Sequence, residues 1–508
     1  MSGVRIQAGC GQAAADGAGY RRAARVFGLV LFGACLVGCH AVGPDFTGPP
    51  STTADEAKTF PAATPARHSS TGPAPGFRAD DPPAAWWALV KDPVLDSLIA
   101  DAQRANYDLR IAAANVAAAR ALLDQTLTRR LPNLDANGAV VERRNASALF
   151  PGGRADKALP TTLFGTFGFD LTWEIDLFGR VQRSIEAAEA ELGSNEALRQ
   201  GVMVSVLAGV ARAYIDLRGT QTRLDVAARN VRVQEQTLAL VNLLNREGAA
   251  TELDVARART QLLASQATIP RLEAQRQAAL NRLTTLTARP PGALDARLLT
   301  PRPLPAVPAF VATGDPAGMV RRRPDILAAE HALAGATALI GVATADLFPT
   351  VRFGALGGVG AAQLSNLGAP GAPFMTIGPT LVWNLFDRRA IYARIRAADS
   401  SADAALARYE QTVTRALEEV DSALSAYASE LQRQQQLSSA HASSEEASRL
   451  ANLRYREGVE DFLAVLDAER SQLEIEDQFA QSRIAVGQFL VDIHLALGGG
   501  WEAALQQP

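Results

Sequence analysis

Reactive side chains are scarce in this 508-residue chain, and the one best placed for chemistry is Cys39. It follows Leu36-Val37-Gly38, and small residues directly before a cysteine make the pattern of a bacterial lipobox. In such signals the thiol is acylated through sulfur and the cysteine becomes the first residue of the mature chain. Ahead of it, Arg21, Arg22 and Arg25 supply a positive region, and residues 26–38 form a 13-residue apolar run. That length suits a signal-peptide core and is short for a membrane helix. The rival Cys35 follows Phe32-Gly33-Ala34 and lacks the preferred leucine. The bland alternative is an ordinary cleaved signal with an incidental cysteine. His40, standing where an Asp would signal inner-membrane retention, points outward. Once residues 1–38 leave with Cys10 and Cys35, and Cys39 carries lipid, no disulfide is expected, although the periplasm permits one.

The remaining reactive groups form no site. His40, His68, His331, His441 and His494 have no metal-ligand spacing. Gly357-Gly358-Val359-Gly360 does not open a helix with a phosphate-cradling lysine, and reads as strand glycine near a loop. No local motif suggests Ser-His-Asp or Cys-His chemistry. Asn145-Ala146-Ser147 is a glycosylation sequon without weight in a bacterial context. No catalytic residue, metal or cofactor is expected. With 50 Lys+Arg against 53 Asp+Glu and no clustered basic face, nucleic acid is not an expected partner.

The elements that must carry any function come in two similar halves. Asn106-Tyr107-Asp108-Leu109 and Arg323-Pro324-Asp325-Ile326 each open a helical stretch; Asp108 and Asp325 lie 217 apart, as do the closing Pro132 and Pro349. Leu177-Phe178-Gly179-Arg180 returns as Leu385-Phe386-Asp387-Arg388 at an offset of 208, and Arg246-Glu247-Gly248 as Arg456-Glu457-Gly458 at 210. Arg259-Thr260-Gln261-Leu262 returns as Arg470-Ser471-Gln472-Leu473 at 211. Slowly drifting offsets are what loop insertions leave in a duplicated chain. Each half predicts a helix (about 88–130 and 315–347), two strands and two long helices. Proline-rich stretches precede the first half, from Pro44 to Pro83, and join the two, from Pro290 to Pro316; both are extended and semi-rigid.

Alternation predicts strands at 163–173, with Phe167, Phe169, Leu171 and Trp173 on one side, at 351–359, at 374–383 ending in Trp383, and more weakly at 134–143. Segments of ~9–11 residues with period two suit tilted transmembrane strands. A soluble sandwich also alternates. No window past residue 40 offers ~20 consecutive apolar residues, so a spanning segment must be a closed barrel. Small barrels need about eight strands, so four must be shared with other copies. The stretches 180–247 and 388–457 contain no proline and predict helices of roughly 100 Å if continuous. Return helices follow at about 252–288 and 461–497, the first kinked at Pro270. Leu224, Val231 and Leu238, like Leu417, Leu424 and Leu431, recur every seven residues, a seam for side-by-side packing.

Cys39 followed by Val42-Gly43-Pro44-Asp45-Phe46, then Trp86-Trp87, Arg322-Arg323-Pro324-Asp325-Ile326, and Tyr455-Arg456-Glu457-Gly458 before Leu466-Asp467-Ala468, resembles the outer membrane factor family. Within it the chain is similar to the TolC/OprM group and its NodT-type efflux lipoproteins, over residues 39 to about 500. The resemblance implies an α+β membrane protein with a TolC-like fold and two internal repeats. Three protomers, four β-strands each, make a trimeric 12-stranded β-barrel, continued by a long α-helical barrel. It also implies a homotrimer in outer-membrane lipid that extends into the periplasm and meets a periplasmic membrane-fusion adaptor protein and an inner-membrane pump.

The resemblance places a periplasmic gate at the helix turns after Gly248 and Gly458. Asp467 matches an aspartate lining the constriction. Three copies would form an acidic ring that holds cations and answers to acid. A second aspartate, usual three residues earlier, is Ala464 here, which leaves Asp461 or Glu460 to compensate. Tyr455 and Asp254 match positions that latch neighbouring coils, and Glu460 stands where TolC has an arginine. A solvated helix turn is the plain alternative for all of these charges.

The expected division is 1–38 signal peptide, 39–87 acylated extended segment, 88–288 first repeat, 289–314 linker, 315–497 second repeat and 498–508 tail. The expected function is passive efflux of drugs or other toxic small molecules. Alternatives are the channel of a type I protein secretion system, a structural envelope lipoprotein without a pore, and a lipoprotein enzyme.

Overall fold

The computed structural model describes residues 41–51, 59–63, 76–143 and 161–505. In chain order the elements are β1 (Gly76–Arg78), α1 (Pro93–Ala105), α2 (Tyr107–Leu127), β2 (Asn133–Arg143), β3 (Thr162–Ile175), α3 (Arg180–Arg246), α4 (Glu252–Gln266), α5 (Thr268–Leu286) and α6 (Asp295–Leu298). There follow β4 (Phe310–Ala312), α7 (Pro316–Arg322), α8 (Pro324–Ala345), β5 (Thr350–Ala361), β6 (Pro373–Val382), α9 (Arg388–Arg456), α10 (Phe462–Ala496) and α11 (Trp501–Leu505). The chain divides into two compact units, one around the larger sheet and one of helices.

The sheet unit comprises residues 126–186 and 337–399 with the segment ending at Asp45. Its four antiparallel strands run in the order β2-β3-β5-β6. The register turns the alternation of each strand into two continuous faces. Leu134 lies opposite Leu171, which lies opposite Ala355, which lies opposite Ile377. Phe169 lies between Ala136 and Gly357, and Gly357 meets Met375. This face is apolar, and its large side chains are open: Phe167 is 54% exposed, Ile377 60% and Met375 77%. The other face carries Asp135 opposite Asp170, Thr172 opposite Gly354, and Glu174 opposite Arg352 and 3.9 Å from it. A one-residue slip would exchange the two faces, so the pattern fixes the register. The glycine run belongs to β5. A Cβ on Gly358 would stand 2.3 Å from the Phe167 carbonyl oxygen, so only glycine admits the close approach of β3.

The helical unit has two apolar cores that repeat the duplication. In one, Trp86, Leu95, Leu98 and Ile99 pack on Leu207, Tyr214 and Leu217 of α3 and Leu280 and Leu283 of α5. In the other, Phe60, Val311, Met319 and Ile326 pack on Val413, Val420 and Leu424 of α9 and Leu490 and Ile493 of α10. The short parallel pair β1–β4 joins residues from the two proline-rich stretches, with Phe77 opposite Val311.

Three helices are broken where the sequence predicted continuity or a kink. The first stops at Asn106, whose Oδ1 accepts from the backbone N–H groups of Asp108 at 2.8 Å and Leu109 at 3.2 Å. That cap starts a new helix, α2. In the second half the break falls at Arg323, because Pro324 has no N–H for the preceding turn and takes the first position of α8. The first return helix ends at Gln266, four residues before Pro270, which is the residue whose carbonyl the proline ring would strike. Asn106 Nδ2 also donates to the Leu286 carbonyl at 2.9 Å, and Arg323 Nη1 to the Ala496 carbonyl at 2.6 Å. Corresponding residues thus pin the ends of corresponding return helices. Two helices, α3 and α8, hold an 18-residue window of high mean hydropathy, although neither has ~20 consecutive apolar residues; the α3 window is 56% buried within the protein and the α8 window 28%. Packing within the protein accounts for much of the apolarity of α3, and small residues mark its close approach to α8: a Cβ on Gly335 would lie 3.4 Å from Ala190 Cβ.

His494 stacks on Trp86 with ring centroids 4.9 Å apart and 9° between planes, and neither ring nitrogen has a partner. Burial first, then the charge of Arg322, pushes its pKa down to about 3. Its contribution to stability is therefore full above the ordinary value of 6.5 and is lost as the pH falls through that value toward 3. His494→Phe keeps the stack and is expected to flatten the drop in melting temperature on acidification from about pH 6.5 to pH 4, read by circular dichroism.

Candidate functional site: the helix turns and the anchor segment

α3 and α9 each run into a glycine with positive φ, 76° at Gly248 and 71° at Gly458, which stops the helix. Thr251 then begins α4 with a reciprocal cap. Its Oγ1 accepts from the Asp254 N–H at 3.2 Å, and the Asp254 carboxylate accepts from the Thr251 N–H at 3.0 Å and the Thr251 hydroxyl at 2.7 Å. Asp461 caps α10 by accepting from the Ala464 N–H at 3.1 Å. Between the two turns lies a small core of Val241, Val255, Ala258, Phe462 and Val465. It fixes the paired helices where their chains reverse.

Tyr455 packs on Phe462 with centroids 5.5 Å apart, and its hydroxyl is buried without a hydrogen-bond partner. Burial, and next the charge of Asp254, raise its pKa. The fold therefore brings Tyr455 and Asp254 within electrostatic reach, while the Asp254 carboxylate is committed to its own cap. Asp467 is exposed on α10 and, among the described residues, makes no hydrogen bond or ion pair. Of the two acids that could compensate for Ala464, Glu460 is paired with Arg454 at 3.1 Å and Asp461 is the helix cap. Unlike these two, Asp467 is uncommitted.

Cys39 lies outside the described residues, as do residues 1–38, but the segment just after it is held firmly. Val42 N–H donates to the Phe178 carbonyl at 3.1 Å. The buried Arg183 donates to the carbonyls of Val42 at 3.1 Å and Gly43 at 3.3 Å and to Asp45 at 2.5 Å. Gly43 has φ +92°, and a Cβ there would sit 2.4 Å from Gly341 Cα. In the same unit the indoles of Trp173 and Trp383 donate to the Arg130 and Leu347 carbonyls, at 3.0 and 3.1 Å. Each half thus seats one strand-end tryptophan on its helix-to-strand turn, as interfacial aromatics sit at the rim of an apolar band.

Glu469 escaped the sequence reading. It is buried, and it stands in the apolar stripe of Phe462, Val465, Leu466 and Leu473, where a charged residue at helical spacing was the available signal. The bonds of Arg183, Asn106 and Arg323 were equally illegible, because their partners lie far away in sequence.

A four-stranded sheet feeding two pairs of long helices, repeated within one chain, is the protomer of a TolC-like outer-membrane channel. The profile of the outer membrane efflux protein family matches residues 98–289 and 319–499, and the chain belongs to that family. It is similar to outer membrane protein OprJ of Pseudomonas aeruginosa, 32% identical over 82% of this chain and 86% of that protein. It is equally similar to the toluene efflux pump outer membrane protein TtgF of Pseudomonas putida, 32% identical over 83% of this chain and 87% of that one. Among solved structures, the outer-membrane channel OprN superposes with a TM-score of 0.83 at 37% identity, covering 91% of this chain and 99% of that one. The protein is an outer-membrane efflux channel component that extends into the periplasm.

Asp467→Ala is expected to weaken block of the channel by divalent cations about tenfold, the effect of ~1.4 kcal/mol. Single-channel recording in planar bilayers reads it, and an unchanged block removes Asp467 from the pore.

Proposed function

We propose that three copies of this chain close one twelve-stranded barrel and act as a passive conduit for toxic small molecules, catalysing no reaction. The observation that carries this reading is the sheet with one exposed apolar face and two open edges, β2 and β6. In lipid every backbone N–H and C=O must be paired, so both edges need a partner strand. Copies of the same chain offer β6 to β2 in a closed ring. A periplasmic adaptor and an inner-membrane pump supply the energy and the substrate choice. The likeness to a toluene efflux pump protein favours small apolar cargo over secreted protein. A pore-free bridging lipoprotein has no use for a lipid-facing sheet.

The seating of residues 41–45 supports the proposed anchor. With Val42 and Gly43 fixed beside the strand ends, acyl chains on Cys39 start three residues before Val42, within ~10 Å of extended chain. Asp467 lines the gate in this reading, with Tyr455 and Asp254 as its latch. Residues 1–38 are the signal, and 88–288 and 315–497 are the two repeats on either side of the 289–314 linker.

Deletion of the gene is expected to raise sensitivity to aromatic solvents and amphiphilic antibiotics several-fold, restored by the wild-type gene. Unchanged minimal inhibitory concentrations across such a panel contradict the assignment.

A further inference from the structure

The polar side chains that join α3 to α10 form a ladder. From the end near the C-terminus of α10 its rungs are Arg212 with Asp492, Asp216 with Gln488, Arg223 with Asp477, Arg229 and Asn230 with Glu476, and Thr237 with Glu469. Positions 216, 223, 230 and 237 are seven apart, so one face of α3 carries a rung per heptad. The two helices are antiparallel, and the rungs descend toward the turns at Gly248 and Gly458.

The rungs are not alike. Arg223 grips Asp477 through two bonds, of 2.8 and 3.2 Å. Arg229 and Asn230 hold Glu476 at 3.5 and 3.1 Å. Two rungs have no cation: Asp216 with Gln488, which is flanked by the Arg212 and Arg223 pairs, and the last, which has an arginine on one side only. Glu469 Oε1 accepts from the Thr237 hydroxyl at 3.1 Å and from Asn452 Nδ2, on α9, at 3.2 Å. One buried carboxylate oxygen therefore ties α3, α9 and α10 together at a single level. Beyond it, toward the turns, no further polar side-chain pair joins α3 to α10 among the described residues; only the small apolar core does.

We propose that the Thr237–Glu469–Asn452 junction is the pivot of the channel tip: the level at which the α9–α10 coil parts from α3 on opening, while the arginine-held rungs above stay closed. This rests on the reading of the helix turns as the channel's gate. A hydroxyl–carboxylate bond exchanges for water more readily than a two-bonded arginine–aspartate pair, so the ladder yields first at its neutral-donor end. Nothing polar below it resists, and everything above it does.

The same geometry makes the pivot responsive to protons. Burial raises the Glu469 pKa, against the hydrogen bonds from Asn452 and Thr237. Thr237 from α3 and Asn452 from α9 are uncharged; on α10 itself the nearest charged positions, Asp467 and Arg470, do not pair with it. Parting the coils returns the carboxyl to water and lowers its pKa, so opening releases a proton. Acid thus favours the closed junction, and rising pH favours the open one.

The test is the frequency of opening events in planar bilayers containing the full-length channel, from about pH 5 to pH 8, a range that brackets a raised carboxyl pKa. It is made in an Asp467→Asn background, which removes the carboxylate that the gate reading itself invokes. Glu469→Gln is expected to show at pH 8 the low opening frequency of its parent at pH 5, with the pH response flattened. Thr237→Val is expected to raise opening several-fold and Thr237→Ser to restore it, which loss of packing alone does not predict. If Asp467→Asn and Tyr455→Phe change conductance while the Glu469 and Thr237 variants leave opening and its pH profile untouched, the pivot is overturned and the gate stands. If none of these variants moves conductance or opening, the gate reading fails and the pivot fails with it.

Discussion

Hydrogen bonding of the backbone at the two edges of the four-stranded sheet governs the rest of this molecule. An edge in water can bond to solvent; an edge in hydrocarbon cannot, and each unpaired group there costs several kcal/mol. The apolar face running from Leu134 through Leu171 and Ala355 to Ile377 marks the sheet for hydrocarbon. Four strands are too few to curl and meet themselves. The polar face, with Asp170, Glu174 and Arg352, then looks onto whatever the closed ring encloses. A conduit follows from the need to pair β2 and β6, with no reactive residue required.

The helices answer a different demand. Each strand pair must be led out of the membrane and returned, and the duplicated chain does so twice with corresponding devices: a break at Asn106 or Arg323, a left-handed glycine at Gly248 or Gly458, a cap at Thr251 or Asp461. The halves share the glycine and differ in chemistry at the break and at the cap. At the end of the return helix Gly498 takes φ +68° without strain, while its counterpart Ala288 holds φ +51° with a side chain. Divergence after duplication left the strained left-handed residue, Ala288, in the first half, and the exposed Asp467 in the second.

Much of the fold was legible because it rests on period. Alternation at 163–173 and 351–359 found the strands, and proline-free stretches of more than sixty residues found α3 and α9. Helical stretches were read as opening at Asn106 and Arg323, but the bonds behind those boundaries were not legible. Asn106 caps its own next turn and bonds the distant Leu286 carbonyl, and nothing in periodicity announces that. Pro270 was visible, but the break fell at Gln266, one turn earlier, where the steric conflict lies. At the tip the sequence pointed to Asp467, Tyr455 and Asp254. It could not show that Asp254 is spent on a cap, nor that Glu469 crosses to Thr237, a contact spanning 232 positions.

The most direct test of the central claim is the mass of the detergent-solubilised channel by native mass spectrometry. Pairing of β2 and β6 between copies requires a stable trimer that persists on dilution. A protein that remains monomeric under conditions preserving its strand content would leave both edges bare, and would contradict the account.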